Sequence, residues 1–504
     1  MTTTMLLQGG TVLVHDEDDH VHAIKADILI EGNTIAKIEA GIKPPSGTRV
    51  IDCKDKILTP GFVDTHHHVW QTLLKGRHGN DLLLDYFPKG NFTSSVHTTE
   101  DFFWGQLGGC LAMLDAGTTT VVDHAHLNYS PESSKAAIAA DISSGIRSVF
   151  CYCPTPRMES WKPFKFSSQD MLPDWVMSTM SELASKAPFG DGRITLGLAF
   201  DGFWYPKEVV VDLFTKARDM GIKLITTHYV RNALQSPNSP IELLHNYGIL
   251  NSTFNYLFSH TSNCTPRDAS LILSSSSHAS TTPSTELQMS CGTPSAFHPT
   301  LSAHLQSQCS IGIDCPSNQS VSIPSELRLL LQHARGMHNQ KFVDQGKVPR
   351  TVNWSVEEAF NLGTIMGARA AGLGEMVGSL RVGWRADVLV WEACSPAMVC
   401  AAQEDPVQAV VLHGSVRDIE MVVVDGVVRK ERGRLREVDL RRGREVWGGD
   451  GVEGGRVEWK DVARELVMRR ERVEGEIEGL DMEEARRGVI EGFYIDEKVI
   501  VDSV

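Results

Sequence analysis

A strand-like segment early in the chain ends in three consecutive histidines. Residues 60–68 read PGFVDTHHH, so an apolar stretch runs directly into His66, His67 and His68. Side chains two residues apart in a β-strand point to the same side, which allows His66 and His68 to approach one ion together while His67 faces away. Imidazole nitrogens bind zinc, iron, nickel and copper. The spacing therefore predicts part of a metal site, and the alternative is that histidines fall at a strand end by chance.

Two further candidate ligands follow strand-like segments later in the chain. His228 ends the segment 222–228, and Asp314 ends the segment 310–314. With His66 and His68 they would supply three neutral nitrogens and one carboxylate, a set that can leave a coordination position open for water. A bound metal lowers the pKa of that water, and Asp314 could accept its proton as general base. We therefore expect one divalent metal ion, zinc or alternatively iron, and hydrolytic chemistry.

Other side chains near these segments have a functional and a structural interpretation. His260 follows the segment 255–259, where it could bind the metal, orient water, stabilise an oxyanion or simply pack. His124 and His126 follow another predicted strand and either face the pocket or lie inside the fold. Trp70 stands close to the first histidines and could form a pocket wall. We assign a catalytic role to His260 and a substrate-binding role to His126 and Trp70.

Eight strand-like segments alternate with helix-like segments between residues 59 and 376. The segments are 61–64, 118–123, 148–152, 194–200, 223–227, 255–259, 278–281 and 310–313. This alternation predicts an α/β fold with a (β/α)8, TIM-like barrel, whose active site lies at the C-terminal ends of the strands. The candidate ligands all follow strand ends, so the barrel would bring them to one pocket.

Segments of a different kind flank the predicted barrel. Residues 1–58 and 377–435 read as short strands separated by Gly, Asn and Asp turns, and we expect them to form one small composite β-sandwich domain. The barrel would then span residues 59–376. Residues 436–504 are rich in Arg, Glu and Gly, which predicts a charged helical C-terminal extension on the outside of the barrel.

The composition excludes several classes of protein. The chain has 504 residues, of which 41% are hydrophobic and 22% charged, as in ordinary globular proteins. A net charge of −15 argues against a general nucleic-acid or membrane-surface binder. The first residues lack the features of a secretory signal, no apolar run of about 18 residues occurs, and no CxxC pair occurs. We expect a cytoplasmic protein with a small-molecule substrate and neither nucleic acid nor membrane as partner.

Four segments resemble signatures of the amidohydrolase superfamily. They are PGFVDTHHHVWQTLLKG (60–76), LAMLDAGTTTVVDHAH (111–126), SIGIDCPSN (310–318) and GSLRVGWRADVLVW (378–391). More narrowly, the chain is similar over about residues 5–435 to the branch that contains cytosine deaminase, guanine deaminase and chlorotriazine hydrolase. The resemblance implies metal-dependent hydrolysis of a small heterocyclic substrate, and a homodimer.

The resemblance also implies roles for single residues. The ligand positions of the family correspond to His66, His68, His228 and Asp314. His260 matches the sixth-strand histidine, which contacts water or substrate in this branch, and Gln71 lies where the branch has substrate contacts. Members with two metals carry a lysine on the fourth strand. Residues 194–201 contain no lysine, so one metal is expected.

One position departs from the deaminase pattern. Deaminases of this branch have a glutamate three residues after the fifth-strand histidine, where this chain has Arg231. A guanidinium cannot act as a general acid at ordinary pH. Glu286 lies in a segment, 282–289, that looks like a TPExExQM stretch of other members, and it is either the replacement acid or a polar loop residue. Arg231 could instead bind the substrate, for example through a carboxylate.

The sequence thus predicts a mononuclear metal-dependent hydrolase. Metal-bound hydroxide would attack a C–N bond, by deamination or at a cyclic amide or amidine, or a related C–X bond. Asp314 would act as base, His260 would stabilise negative charge, and Glu286 would protonate the leaving group. Two alternatives stay open: a metal-dependent lyase, dehydratase or cyclase of secondary metabolism, because of Arg231, and a non-catalytic relative that keeps the fold as a binding module.

Overall fold

The computed structural model describes residues 4–168, 170–234, 238–448 and 454–503. Two large sheets organise these residues: a parallel sheet of eight strands and a mixed sheet of nine strands. Among the described helices, none combines the length and the apolar character that crossing a membrane would require.

The eight parallel strands form a barrel in which neighbours in the chain are neighbours in the sheet. They span Phe62–His67, Thr118–Asn128, Arg147–Pro154, Ile194–Ala199, Leu224–Val230, Asn255–Ser262, His278–Thr281 and Cys309–Ile311. Every residue of the second and third strands is buried, as expected for parallel strands covered on both faces. Each segment predicted from the sequence overlaps one of these strands, which confirms the predicted fold class.

Helices alternate with the strands, and local sequence signals explain where they begin. The main helices after successive strands span Thr99–Asp115, Pro131–Ser144, Asp174–Lys186, Lys207–Asp219, Pro240–Tyr247, Pro266–Ser275, Pro283–Gln288 and Ile323–Val343. Thr98 and Thr265 each close a capping box with an aspartate three residues later. Proline in the first turn, as at Pro131, suits a position whose N–H has no partner within the helix.

The eighth strand closes the barrel against the first by a close approach of two backbones. The N–H of Asp314 donates to the carbonyl of His66 at 2.7 Å, and the N–H of His68 donates to the carbonyl of Asp314 at 2.9 Å. A Cβ atom on Gly312 would lie 2.7 Å from the backbone nitrogen of His66. Glycine at position 312 therefore permits the closure that brings Asp314 beside the first-strand histidines.

Replacement of Gly312 by alanine should destabilise the protein. The new methyl group meets backbone atoms, which cannot move aside as a flexible side chain can, so we expect a loss of roughly 3 kcal/mol in the free energy of unfolding. Gly336→Ala is the matched control, because nothing lies within 4 Å of its Cβ position on the helix Ile323–Val343, and it should gain up to about 1 kcal/mol. Denaturant unfolding of both variants measures the difference. Equal stabilities would contradict this account of the closure.

The nine-stranded sheet combines chain segments that precede the barrel in the sequence with segments that follow it. Its strands span Thr4–His15, Val21–Glu31, Thr34–Glu39, Arg49–Asp52, Lys56–Pro60, Val388–Glu392, Ile419–Val424, Val427–Glu431 and Arg434–Leu435. The strands Lys56–Pro60 and Val388–Glu392 pair antiparallel and join the two contributions. A buried apolar cluster that includes Leu58 and Val390 packs on this sheet. This pairing supports the proposed composite domain of residues 1–58 and 377–435.

The two longest described helices of the C-terminal extension span Trp459–Glu478 and Met482–Gly492. The first lies against the barrel helix Thr99–Asp115, where Arg469 binds Glu100 at 2.8 Å. The second buries Val489 and Ile490 in an apolar cluster with residues of the loops after the first and third barrel strands. The extension therefore contributes apolar contacts as well as charged surface.

Candidate metal centre

Four side chains converge at the C-terminal ends of the first, fifth and eighth barrel strands. The ligand atoms of His66, His68, His228 and Asp314 all lie within 4.8 Å of one another. Oδ1 of Asp314 is 3.2 Å from Nε2 of His66 and 3.1 Å from Nε2 of His68. Nε2 of His228 is 3.4 Å from Nε2 of His68. The structure thus brings together the four residues that the sequence predicts as ligands.

Each of the three histidines uses Nδ1 for a contact outside this centre. His66 Nδ1 lies 2.8 Å from the hydroxyl of Ser259, and His68 Nδ1 donates to the carbonyl oxygen of His124 at 2.8 Å. His228 Nδ1 lies 2.9 Å from Oδ2 of Asp201. A carbonyl and a carboxylate only accept hydrogen bonds, so in the neutral rings of His68 and His228 the hydrogen sits on Nδ1 and the lone pair on Nε2 faces the centre. The hydroxyl of Ser259 can accept the same bond from His66.

This arrangement fits a divalent cation. Nε2 of His66 is buried and has no hydrogen-bond partner among the described residues. Burial lowers the pKa of His66 and of His68, although Asp314 acts in the opposite direction, and neutral imidazole is the form that binds metals. Three nitrogens and one carboxylate oxygen are a donor set of zinc and of iron. Three histidine nitrogens and a carboxylate oxygen within 4.8 Å of one another form a group that a cation would hold together.

Two residues at the centre have a backbone conformation that is rare outside glycine. The φ angles of Asp314 and His260 are 67° and 71°. A non-glycine residue in this left-handed region costs on the order of 1–3 kcal/mol and is often found where function requires it. Here the conformation turns both side chains toward the ligand histidines, since the His260 ring centre is 5.2 Å from that of His66.

Asp201 fixes the orientation of His228, a role that the sequence reasoning missed. Its Oδ1 accepts from the backbone N–H of His228 at 2.8 Å, and its Oδ2 lies 3.2 Å from Nε2 of His124. Burial would raise the pKa of Asp201, but His228 and His124 outweigh burial and hold that pKa well below its usual range. The sequence signal that could have indicated this role is an aspartate two residues after the end of the fourth barrel strand.

Asp201→Asn should weaken metal binding by about 10- to 100-fold, because an amide cannot accept from His228 at both of its heteroatoms. Chelator competition at fixed pH measures the metal dissociation constant. The control is Asp219→Asn, which changes an exposed aspartate at the end of the next helix. An unchanged metal affinity in Asp201→Asn would show that Asp201 does not position a ligand.

His260 and Glu286 form a second polar group beside the four residues. Nδ1 of His260 lies 2.8 Å from the hydroxyl of Thr282 and 3.7 Å from Oε1 of Glu286. The N–H of Thr282 donates to Oε1 of Glu286 at 2.9 Å, whereas Oε2 is buried without a partner among the described residues. Burial raises the pKa of Glu286, and His260 opposes this only in part. Glu286 can therefore carry a proton more readily than an exposed glutamate.

Glu326 holds the short helix on which Glu286 lies. Its two oxygens accept from the N–H of Ser284 at 2.9 Å and from the Ser284 hydroxyl at 2.6 Å. Burial raises the pKa of Glu326 to about 7, and these hydrogen bonds limit the shift. The carboxylate caps the start of the helix Pro283–Gln288, and the sequence alone gave no sign of the pairing.

His126 presents a hydrogen-bond donor next to a ligand. The indole N–H of Trp70 donates to Nδ1 of His126 at 2.9 Å, so the neutral ring carries its hydrogen on Nε2. That Nε2 is buried and has no partner among the described residues. The ring stacks on His68 with 3.9 Å between centroids, and burial lowers its pKa well below the usual value. Trp70 is fully buried behind His126 and orients it.

The other two predicted substrate contacts, Gln71 and Arg231, differ in burial and in hydrogen bonding. Both ends of the Gln71 amide are engaged, since Nε2 donates to the hydroxyl of Tyr86 at 2.7 Å and Oε1 accepts from Ser317 at 3.2 Å. Arg231 has an exposed side chain after the fifth strand. Tyr86, which the sequence reasoning did not single out, belongs to a buried apolar cluster with Cys315, the neighbour of Asp314.

The chain matches known proteins over most of its length. Residues 57–429 match the sequence profile of the Amidohydrolase family. The 5'-deoxyadenosine deaminase of Methanobrevibacter smithii is 25% identical over 82% of this chain and 91% of the relative. A 5-methylthioadenosine/S-adenosylhomocysteine deaminase of Acetivibrio thermocellus is 24% identical over 80% of this chain and 87% of the relative.

Solved structures give the same picture of the fold. An adenosine deaminase from Xanthomonas campestris with bound zinc has a TM-score of 0.75 and 18% identity, covering 94% of this chain and 99% of its own. An atrazine chlorohydrolase from Arthrobacter aurescens complexed with zinc has a TM-score of 0.70 and 18% identity, covering 92% and 100%. At these identities the likeness establishes a shared fold.

Proposed function

Because the chain belongs to the amidohydrolase family and is a hydrolase of non-peptide carbon–nitrogen bonds, we propose that it deaminates a small amino-substituted heterocycle with the help of one divalent metal ion. The relatives named as deaminases of 5'-deoxyadenosine and of 5-methylthioadenosine or S-adenosylhomocysteine support an aminopurine ring as the reacting group. Zinc is the proposed ion, with iron as the alternative. The homodimer and the cytoplasmic location stay predictions.

One observation carries the proposal. The Nε2 atoms of His66, His68 and His228 lie with Oδ1 of Asp314 inside a 4.8 Å group, and each ring is held from its Nδ1 side. These four residues would hold the ion. A bound divalent cation supplies a Lewis acid that makes a water molecule a stronger acid near neutral pH.

Asp314 is the proposed general base. A divalent cation held by His66, His68 and His228 beside Asp314 would keep its carboxylate ionised at neutral pH. An ionised carboxylate at this position can accept a proton from the attacking water and return it later in the reaction. Its left-handed backbone fixes the carboxylate among the histidine nitrogens.

Glu286 is the proposed general acid. It would take the role of the glutamate that stands three residues after the fifth-strand histidine in deaminases of this branch, where this chain has Arg231. Its raised pKa and its partnerless Oε2 support a carboxyl group that carries a proton and can deliver it to a ring nitrogen or to the leaving amine. The exposed side chain of Arg231 is better suited to contact a substrate at the mouth than to transfer a proton.

Two histidines are the proposed electrostatic contacts to the substrate. The Nε2–H of His126 is a buried donor with no protein acceptor among the described residues, so it can bind an acceptor atom of the heterocycle. His260, oriented by Thr282, can stabilise negative charge that develops on the attacked ring. A buried apolar cluster that includes Tyr86, Val230 and Met289 supplies a wall that suits a flat ring.

Product analysis in isotopic water tests the proposed reaction. The metal-loaded enzyme is incubated in H2 18O with a panel of aminopurines, their nucleosides, aminopyrimidines and aminotriazines. We expect at least one compound to release ammonia in a one-to-one ratio with a product that contains one 18O atom. Heat-treated enzyme is the control for uncatalysed hydrolysis.

The same experiment separates deamination from the alternative chemistries. A lyase, dehydratase or cyclase would convert a compound without incorporating 18O from water, and this result would contradict hydrolysis. A product with 18O but without ammonia would keep the hydrolase and reject deamination in favour of another C–N or C–X bond.

A further inference from the structure

A large crevice lies outside the group of four metal ligands and extends to the loops after the first and eighth barrel strands. Its volume is about 2100 Å3, and it is bordered by the nine-stranded sheet, the C-terminal extension and the barrel helix Thr99–Asp115. Nine Lys or Arg residues line it, against five Asp or Glu residues. The whole chain has a net charge of −15, so this concentration of positive charge is local.

Most of the arginines in the crevice are neutralised by a carboxylate. Arg456 binds Glu437 at 2.8 Å, and Arg442 binds Asp191 at 2.7 Å. Arg429 differs, because its Nε and Nη2 are buried without a hydrogen-bond partner among the described residues. Arg193 does not line the crevice, but it lies close enough to Arg429 for the two charges to interact. It is 3% exposed and has the same two atoms buried and unpartnered among the described residues, and only its Nη1 reaches Asp191, at 3.3 Å.

The two unpartnered atoms form the same edge of each guanidinium. Nε and Nη2 together can make two parallel hydrogen bonds to one oxyanion. Arg147 uses this edge in the usual way, since its Nε and Nη2 donate to the two oxygens of Asp387 at 3.2 and 3.1 Å. Arg429 and Arg193 therefore each present a complete bidentate edge without an acceptor.

The neighbouring acids neutralise this positive charge only in part, since Asp191 is shared between Arg193 and Arg442. Asp387 and Asp425 both bind Arg147, and Asp425 also lies 3.6 Å from Arg385. Burial, together with the charges of Arg193 and Arg442, lowers the pKa of Arg429 to about 9, although Asp425 and Asp387 act in the opposite direction. Buried charges without a partner are costly, and an anion would remove the cost.

The backbone around Arg429 leaves room for its guanidinium. Gly145 ends the helix Pro131–Ser144 with a φ of 79°, and a Cβ atom there would collide with the guanidinium carbon of Arg429. Arg193 directly precedes the fourth barrel strand, which places this group at the N-terminal ends of the strands. The metal ligands lie at the opposite ends, so an anion bound here would not be the substrate.

We propose that Arg429 and Arg193, with Arg442, form a binding site for a phosphate group. The ligand is free phosphate or the phosphate of a small soluble metabolite, and it stabilises the packing of the nine-stranded sheet on the barrel. A tetrahedral oxyanion can accept from the edges of two guanidinium groups at once, whereas chloride cannot form a bidentate pair. The crevice volume leaves space for the remainder of a metabolite beyond its phosphate.

Thermal unfolding with inorganic phosphate tests the site. The metal-loaded protein is titrated with phosphate at constant ionic strength, with chloride as the balancing anion, and a ligand that binds only the folded state raises Tm in a saturable way. We expect saturable stabilisation of the wild type, and at least a tenfold higher phosphate Kd in Arg429→Gln. Arg434→Gln is the matched control, because it removes an exposed charge from the same crevice, and its Kd should stay within twofold of wild type.

Several results would overturn the proposal. One is a phosphate response no larger than that of chloride in the wild type. Another is an unchanged Kd in Arg429→Gln, which would place phosphate elsewhere, for example at the metal centre. Arg193→Gln provides the same comparison if Arg429→Gln does not fold. A parallel titration with ribose 5-phosphate, which carries no aminopurine ring for the metal centre, distinguishes the two sources of phosphate: a lower Kd than that of phosphate supports a metabolite, and an equal Kd supports the free ion.

Discussion

Asp314→Asn is expected to lower kcat/KM by at least about 10³-fold, the largest single effect in this enzyme. Asp314 has two roles, since it would hold the ion with the three histidines and accept the proton of the attacking water. Asparagine has similar volume but is not basic, and it offers the cation a neutral oxygen. The expected loss therefore combines weaker metal binding with the absence of the base.

Steady-state kinetics with the substrate found by product analysis, together with metal content, measures this effect. Asp101→Asn is the matched control, because Asp101 is also a fully buried aspartate but contacts Arg472 on the far side of the helix Thr99–Asp115. It should keep kcat/KM within a few fold of wild type while losing stability. An Asp314→Asn variant with more than a tenth of wild-type activity would reject Asp314 as the base.

Glu286→Gln is expected to lower kcat by about 10²-fold with little change in KM or metal content. Glutamine can still accept from the N–H of Thr282 through its Oε1, so the short helix should keep its position. What the variant loses is a carboxyl group that can give up and regain a proton beside His260. We expect kcat to fall while KM stays nearly unchanged, because proton transfer occurs in the transition state and does not contribute to substrate binding.

Glu326→Gln is the control for this second prediction. Glu326 is equally buried, but it caps the helix through Ser284 and does not contact His260 in the structure. We expect a decrease in kcat of less than tenfold in Glu326→Gln, accompanied by lower stability. If Glu286→Gln retained wild-type kcat, or if both variants lost activity equally, Glu286 would not be the acid.

The barrel and the four residues of the metal centre could be predicted from the sequence because their signals are local. Each barrel strand is a short apolar segment. The histidines at positions 66 and 68 are two residues apart, and a β-strand points such residues to the same side. His228 and Asp314 are more than 80 residues apart, yet both directly follow strands. The rule that barrel strands converge at their C-terminal ends was sufficient to place them together.

The residues that orient the ligands could not be derived in the same way. Asp201 and Tyr86 act through contacts between segments distant in the chain, and no spacing marks them. Trp70 was expected to line the pocket, but its indole N–H is donated to His126, which makes His126 the donor that remains free. Such assignments depend on which nitrogen of a histidine is already engaged, and this is a property of the folded structure.

The contacts of the loops and of the C-terminal extension also could not be predicted from the sequence. The exposure of Arg231 depends on the path of the loop after the fifth strand, which the offset from His228 does not determine. The composition of residues 436–504 predicts a helical extension, and the structure has the helices Trp459–Glu478 and Met482–Gly492 in this segment. The apolar contacts of Val489 and Ile490 with loops of the barrel were not predicted, because charged residues dominate that segment.

Elemental analysis of the purified chain and of its His66→Ala variant tests the metal centre most directly. His66 is the clearest choice, since its Nε2 is buried beside Asp314 and has no hydrogen-bond partner among the described residues. We predict about one equivalent of divalent metal, zinc or iron, per wild-type chain, and less than a tenth of an equivalent in His66→Ala that is still folded by circular dichroism. Full metal content and full activity in His66→Ala would contradict a site built from His66, His68, His228 and Asp314.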